Sequence, residues 1–220
     1  MKPSVLVFLT LLLQGPAAMA QEIKDADSII ERLQKRYDST IDLVADFRQE
    51  TEFKTLRRTL QARGKLYFKR PGKMLWRYDQ PKDQVLLGDG KSLYFYQPEQ
   101  GQVVKSPLGS AFRSDIPLSF LLGMGNLRRD FQAMLKGFEK GNYLLELRPK
   151  LDSGGIGEFF LGIEGEQFDI LWARIRDPAG NVTTVRFFNL QRGVGLRDSL
   201  FRLQVPEGVD VVELGSSTSP

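Results

Sequence analysis

Hydrophobic positions follow three patterns along this chain, and each pattern predicts a different element. Ile29, Leu33 and Tyr37 recur every four residues, which draws one apolar stripe along a helix. Ser28-x-x-Glu31 reads as its capping box, with Asp25 and Asp27 adding favourable charge at the helix start. After Asp38-Ser39-Thr40 the period falls to two. Leu43, Ala45 and Phe47 alternate with Val44, Asp46 and Arg48, the mark of a half-buried strand. The same alternation sets Leu66 and Phe68 against Lys65, Tyr67 and Lys69, and sets Met74, Trp76 and Tyr78 against Leu75, Arg77 and Asp79. Pro71-Gly72 turns the chain between these runs, and Pro81 ends the second. Val85 to Leu87 and Ser92 to Tyr96 flank Gly88-Asp89-Gly90, a hairpin signal.

The third pattern is the continuous apolar run. Ile116, Pro117, Leu118, Phe120, Leu121 and Leu122 precede Gly123-Met124-Gly125, which predicts a short helix with proline in its first turn and a glycine stop. Leu127 to Phe138 reads as a second short helix. Strands resume at 143–148, 158–164, 169–176, 182–190 and 200–205. Many short strands with few helices predict a mainly β fold, a barrel or a strongly curved antiparallel sheet. The helical pieces are too few for a layer of their own and are expected to cover one open face. Gly215 to Pro220 is a polar tail, expected to be disordered.

Another apolar run opens the chain. Met1-Lys2 is a basic start, Val5 to Leu13 is apolar, and Ala18-Met19-Ala20 has the small-x-small form of a signal-peptidase site. Residues 1–20 are therefore expected to be a cleaved signal peptide and 21–214 a single domain. No later segment approaches ~20 apolar residues, so the expected mature chain is an exported, freely diffusing protein.

Composition removes whole classes of chemistry. The chain has no cysteine and no histidine. Disulfides, thiolate metal sites and an N-terminal lipidated cysteine are excluded, and so are every Ser-His-Asp triad and the usual general base. No GxSxG or GxxxxGK[ST] occurs. No catalytic residue, metal site or cofactor is therefore assigned. The formal net charge of +4 falls to +3 once the one lysine of the signal segment is removed. Basic residues are spread out, with only the pairs Arg57-Arg58, Lys69-Arg70 and Arg128-Arg129, which reads as a solvated surface rather than a nucleic-acid site.

Residues 64–81, from Gly64 through Lys69-Arg70-Pro71 and Trp76 to Pro81, and residues 88–98, with Asp89-Gly90-Lys91 and Tyr96, resemble the core motifs of the periplasmic outer-membrane lipoprotein carrier family, LolA. Ala45-Asp46-Phe47-Arg48-Gln49, Pro117 to Leu122 and Phe201 to Val209 match in the same order. The resemblance implies a half-open antiparallel β-barrel of about eleven strands with a helical lid, its sheet edges left unclosed. It implies a monomeric carrier in the periplasm that holds the acyl chains of lipoproteins. It implies loading by the inner-membrane transporter complex LolCDE and delivery to the outer-membrane receptor LolB. It places residues matching Met74 and Trp76 at the cavity, and gives the arginine matching Arg70 the role of a lid latch that bonds to lid backbone.

The residues themselves support such a site. Leu66, Phe68, Met74, Trp76 and Tyr78 share strand faces, and Phe120, Leu121 and Met124 lie on a helix that is apolar on too many sides for an ordinary surface helix. These eight are the candidate lipid-binding residues, with Arg70 at the rim as the candidate latch. By alternation Tyr143, Leu145, Leu147, Phe159, Leu161, Ile163, Phe188 and Leu190 extend the candidate wall. Apolar walls do not encode a headgroup, so a carrier or sensor of another lipid or glycolipid is the alternative reading.

Overall fold

The computed structural model describes residues 25–108, 126–150 and 157–214. The signal segment, the central helix expected at 116–124 with Phe120, Leu121 and Met124, and the polar tail lie outside the described residues. Helix α1 (Ala26–Asp38) comes first. Six strands follow: β1 (Asp42–Phe53), β2 (Arg58–Lys69), β3 (Lys73–Gln80), β4 (Val85–Asp89), β5 (Ser92–Gln97) and β6 (Gln102–Pro107). A single helical turn, α2 (Leu127–Asp130), leads into β7 (Phe131–Glu139), β8 (Asn142–Pro149), β9 (Glu158–Glu164), β10 (Ile170–Arg176) and β11 (Val182–Arg192), and the chain returns as β12 (Asp210–Glu213).

All twelve strands form one sheet in the order β12-β6-β5-β4-β3-β2-β1-β11-β10-β9-β8-β7. Its pairs are antiparallel except β12 beside β6. The sheet ends at β12 and β7, so the barrel stays half open, with α1 as the described part of its helical cover. No helix among the described residues is long and apolar enough to cross a membrane.

Helix α1 starts three residues earlier than its capping box suggested. Asp25 is the N-cap, and its carboxylate accepts from the backbone N–H of Asp27 and Ser28. Ser28 donates its hydroxyl to the same carboxylate at 2.7 Å instead of capping. The helix is only 13 residues long, too short to persist alone in water. It is held by docking: Ile29, Ile30, Leu33 and Tyr37 are buried against Tyr143, Leu145, Leu147, Phe159, Leu161 and Ile163 of β8 and β9. Each such aliphatic side chain contributes about 1.5–3 kcal/mol of burial.

Two expectations fail. Leu127 to Phe138 is helical only through Asp130, and the rest is β7. Phe131, Ala133 and Leu135 alternate toward the α1 core, and a bulge between Leu135 and Gly137 then resets the parity so that Phe138 faces the same way. Alternation broken by a bulge mimics the spacing of a helical stripe. Residues 200–205 are not a strand either. A 3-10 turn, Asp198–Phe201, crosses the outer face of the sheet and seats Phe201 against Leu75 and Leu87.

That crossing segment is clamped to the sheet. The buried carboxylate of Asp42 accepts from the N–H of Val194 at 2.7 Å and of Leu196 at 2.9 Å. Lys69 Nζ donates to the Leu196 carbonyl at 2.7 Å, and Lys69 and Lys73 both pair with Asp198. Removing the Asp42 carboxylate leaves two backbone donors without an acceptor, so Asp42→Ala is expected to lose about 2–4 kcal/mol in urea denaturation.

The same clamp carries an acid signature. Hydrogen bonds from Lys69, and then from Lys73, hold the Asp198 carboxyl down to about 2. The folded value is depressed, so the contribution is complete above the ordinary carboxylate value of ~4 and is lost as pH falls through the folded value. Asp198→Asn is expected to lower the urea midpoint at neutral pH and to have a flatter stability profile than the wild type between about pH 4 and pH 2. An equal acid slope in both proteins is the outcome against this clamp.

Candidate functional site

The inner face of the sheet carries the candidate residues. Leu66, Phe68, Met74, Trp76 and Tyr78 fall into one buried cluster with Leu43 and Phe47 of β1, Val185 of β11 and Leu108, which follows β6. The register explains the grouping: Leu66 lies opposite Ala45 on one side and Trp76 on the other, and Phe68 lies opposite Leu43 and Met74. Gly64 lies opposite Phe47 and Tyr78 in the two ladders. A Cβ there would collide with the Arg77 carbonyl, so only glycine lets β2 and β3 approach. Phe47 meets Trp76 edge to face at 4.7 Å and Tyr78 at 5.1 Å.

Helix α1 ends over this face. Tyr37, in its last turn, joins Leu43, Ala45, Leu66, Phe68, Ile170, Phe187 and Leu190 around an apolar cavity of about 10 Å³. That volume holds no more than about one water. Burial raises the Tyr37 hydroxyl well above its ordinary range and pushes Tyr78 up to about 12. Both phenols are therefore neutral at any physiological pH, and the wall carries no charge.

Arg70, at the turn after β2, reaches the same helix end. Its Nη1 donates to the Tyr37 carbonyl at 3.1 Å and to Asp38 Oδ1 at 2.9 Å. One guanidinium nitrogen thus meets a backbone acceptor at the helix C-terminus together with a helix carboxylate, where a cation is favoured. The ion pair is half exposed, with Arg70 32% and Asp38 52% accessible, and such pairs contribute ~0–1 kcal/mol. The charge-assisted bond to the carbonyl is the stronger half, about 1.5–3 kcal/mol. A second tie holds the helix from the other side. Asp169 accepts from Arg36 of α1 at 3.3 Å and from both terminal nitrogens of Arg192 on β11.

The remaining wall candidates divide. Tyr143, Leu145, Leu147, Phe159, Leu161 and Ile163 form the packed core beneath α1 rather than the cavity. Leu190 lines the cavity, but Phe188 does not. Phe188 is 41% exposed on the outer face, where Arg48 lies over its ring at 5.5 Å. The register shift between β1 and β11 is the cause, with Asn189 in a left-handed conformation at φ 51. It turns Phe187 and Leu190 inward together and leaves Phe188 out. Phe187 was missed for that reason. Tyr37 and Ile170 were missed because only the folded chain brings α1 and β10 beside β2.

Known proteins match this arrangement. The family model described as outer membrane lipoprotein carrier protein LolA matches residues 38–204. The outer-membrane lipoprotein carrier protein of Methylococcus capsulatus is 33% identical over 208 residues, which are 94% of this chain and 96% of the relative. That of Methylobacillus flagellatus is 30% identical over 183 residues, 83% and 88% of the two chains. Among solved structures, an uncharacterized conserved protein of Thermus thermophilus superposes with TM-score 0.55 at 16% identity, covering 86% of this chain and 98% of that one. A putative outer membrane lipoprotein-sorting protein domain from Vibrio parahaemolyticus gives 0.50 at 14% identity, covering 80% and 95%. At those identities the structures speak for the fold alone. On the family match and the two relatives, this chain belongs to the outer membrane lipoprotein carrier protein LolA family.

Proposed function

We propose that this protein is a periplasmic carrier that holds the acyl chains of lipoproteins, receives them from the inner-membrane complex LolCDE and delivers them to the outer-membrane receptor LolB. The observation that carries the reading is the uncharged apolar inner face, with a small cavity under the end of a helix to which Arg70 bonds. Its membership of the LolA family supports the same reading.

The energetics give such a chamber its use. Burying an acyl chain is favourable by about 0.8 kcal/mol per methylene, so a lipoprotein with several chains does not cross water unaided. A chamber that recovered all of that energy would not release its cargo. A chamber that is closed when empty must be opened first, and the free energy of opening is subtracted from the affinity. In this reading loading breaks the contacts of Arg70 and the α1 end, and re-forming them favours unloading. Leu66, Phe68, Met74, Trp76 and Tyr78 line the loaded chamber.

Arg70→Leu is expected to weaken the closed state, so that the empty chamber takes up bis-ANS roughly tenfold more tightly than the wild type does. The variant accepts lipoprotein from inner-membrane vesicles but passes little of it to the receptor. Arg70→Lys restores part of the transfer, because an ammonium keeps the charge and loses the planar fork. The measurement is transfer of a preloaded lipoprotein from carrier to LolB, beside loading from vesicles. Wild-type transfer by Arg70→Leu removes the latch. Absence of lipoprotein binding by the wild type removes the carrier.

A further inference from the structure

The indole of Trp76 carries a polar atom that the packing leaves unused. Trp76 is 4% exposed, and its Nε1–H has no acceptor among the described residues. An indole N–H only donates, and when buried it ordinarily finds a partner. The rings nearest it are Phe47 at 4.7 Å and Phe187 at 6.0 Å. Leu66 and Leu86 lie opposite it on the two neighbouring strands. None of these side chains has an acceptor. Its neighbours Phe187 and Leu66 also line the small cavity, of which Trp76 itself is not a lining residue, so the indole lies behind that wall. Water is a poor substitute, because it needs two to four polar partners and the cavity lining is hydrocarbon apart from Tyr37.

A phenylalanine at this position would supply a comparable apolar ring and leave no donor bare. The N–H is therefore free for a partner that lies outside the described residues. Building on the carrier reading, we propose that Trp76 Nε1 donates a hydrogen bond to a carbonyl oxygen of the bound acyl group. The site then selects ester- or amide-linked acyl chains over alkyl chains of the same length. A carbonyl that gives up its water on entry is paired again, and so is the indole. An alkyl chain leaves the indole N–H unpaired, and a site with a buried unpaired donor discriminates against the ligand that fails to fill it.

Palmitoyl glycerol and its ether analogue hexadecyl glycerol differ at the carbonyl and share their chain length and headgroup. The wild type is expected to bind the ester roughly tenfold more tightly than the ether. Trp76→Phe is expected to bind both with the affinity the wild type has for the ether. A second readout needs no variant: the indole N–H proton resonance of Trp76 moves downfield with the ester and not with the ether, while Trp172, the other tryptophan, serves as the reference. Equal binding of the two probes by the wild type overturns the inference and leaves the carrier standing. So does a preference that survives in Trp76→Phe, or an indole resonance that the ester does not move. A wild type that binds neither probe overturns the carrier reading and this inference with it.

Discussion

A sheet with leucine, phenylalanine, methionine and tryptophan on one face must bury that face, and over β7 to β11 the short helix α1, with Leu127, does so among the described residues. Helix α1 cannot hold its own shape in water, so its order and its position both depend on Ile29, Ile30 and Leu33 staying seated. Its two ends then behave differently. The N-terminal turns rest on the buried cluster of β7 to β10. The C-terminal turn, at Tyr37, rests on a chamber and is held by Arg70 and by Arg36 through Asp169. Packing holds both ends, since Tyr37 belongs to the same core, and polar contacts are added at the C-terminal one.

The outer face is handled in the opposite manner. The segment after β11 is locked by a buried carboxylate at Asp42, by backbone bonds to Val194 and Leu196, and by two lysines on Asp198. Phe201 fills the space between Leu75 and Leu87. These contacts stiffen β2, β3 and β4 from behind. A rigid back wall matters for a chamber on the other side, because the strand that carries Leu75 and Arg77 outward carries Met74, Trp76 and Tyr78 inward. Movement of the wall would change the chamber as much as movement of the helix.

The inner face is also electrically quiet. The charges nearest the chamber lie at its rim: Arg70 pairs with Asp38, and Arg36 and Arg192 share Asp169, so one positive charge is left over there and none sits on the wall. The two phenols of the wall, Tyr37 and Tyr78, are kept neutral by burial. Acyl chains need such a surface, since an unpaired charge would cost more in desolvation than several methylenes return.

The mainly β fold, the hairpin at Gly88-Asp89-Gly90, the stripe of α1 and the inner face of β2 and β3 were legible in the sequence. Each rests on a local period or turn preference that a few consecutive residues express: Asp89 accepts from Lys91 and Ser92 as an Asp-Gly turn should, and Leu66, Phe68, Met74, Trp76 and Tyr78 face one way because strand side chains alternate. The misreadings fall where that periodicity is interrupted. Bulges at Lys136 and Asn189 shift the parity by one residue, which made β7 look helical and put Phe188 in place of Phe187. Only the tertiary structure decided that Phe201 belongs to the outer face, that Tyr37 lines the cavity and that Arg70 reaches its carbonyl. Those contacts join residues 33 to more than 100 positions apart, and no local pattern records which distant segments will meet.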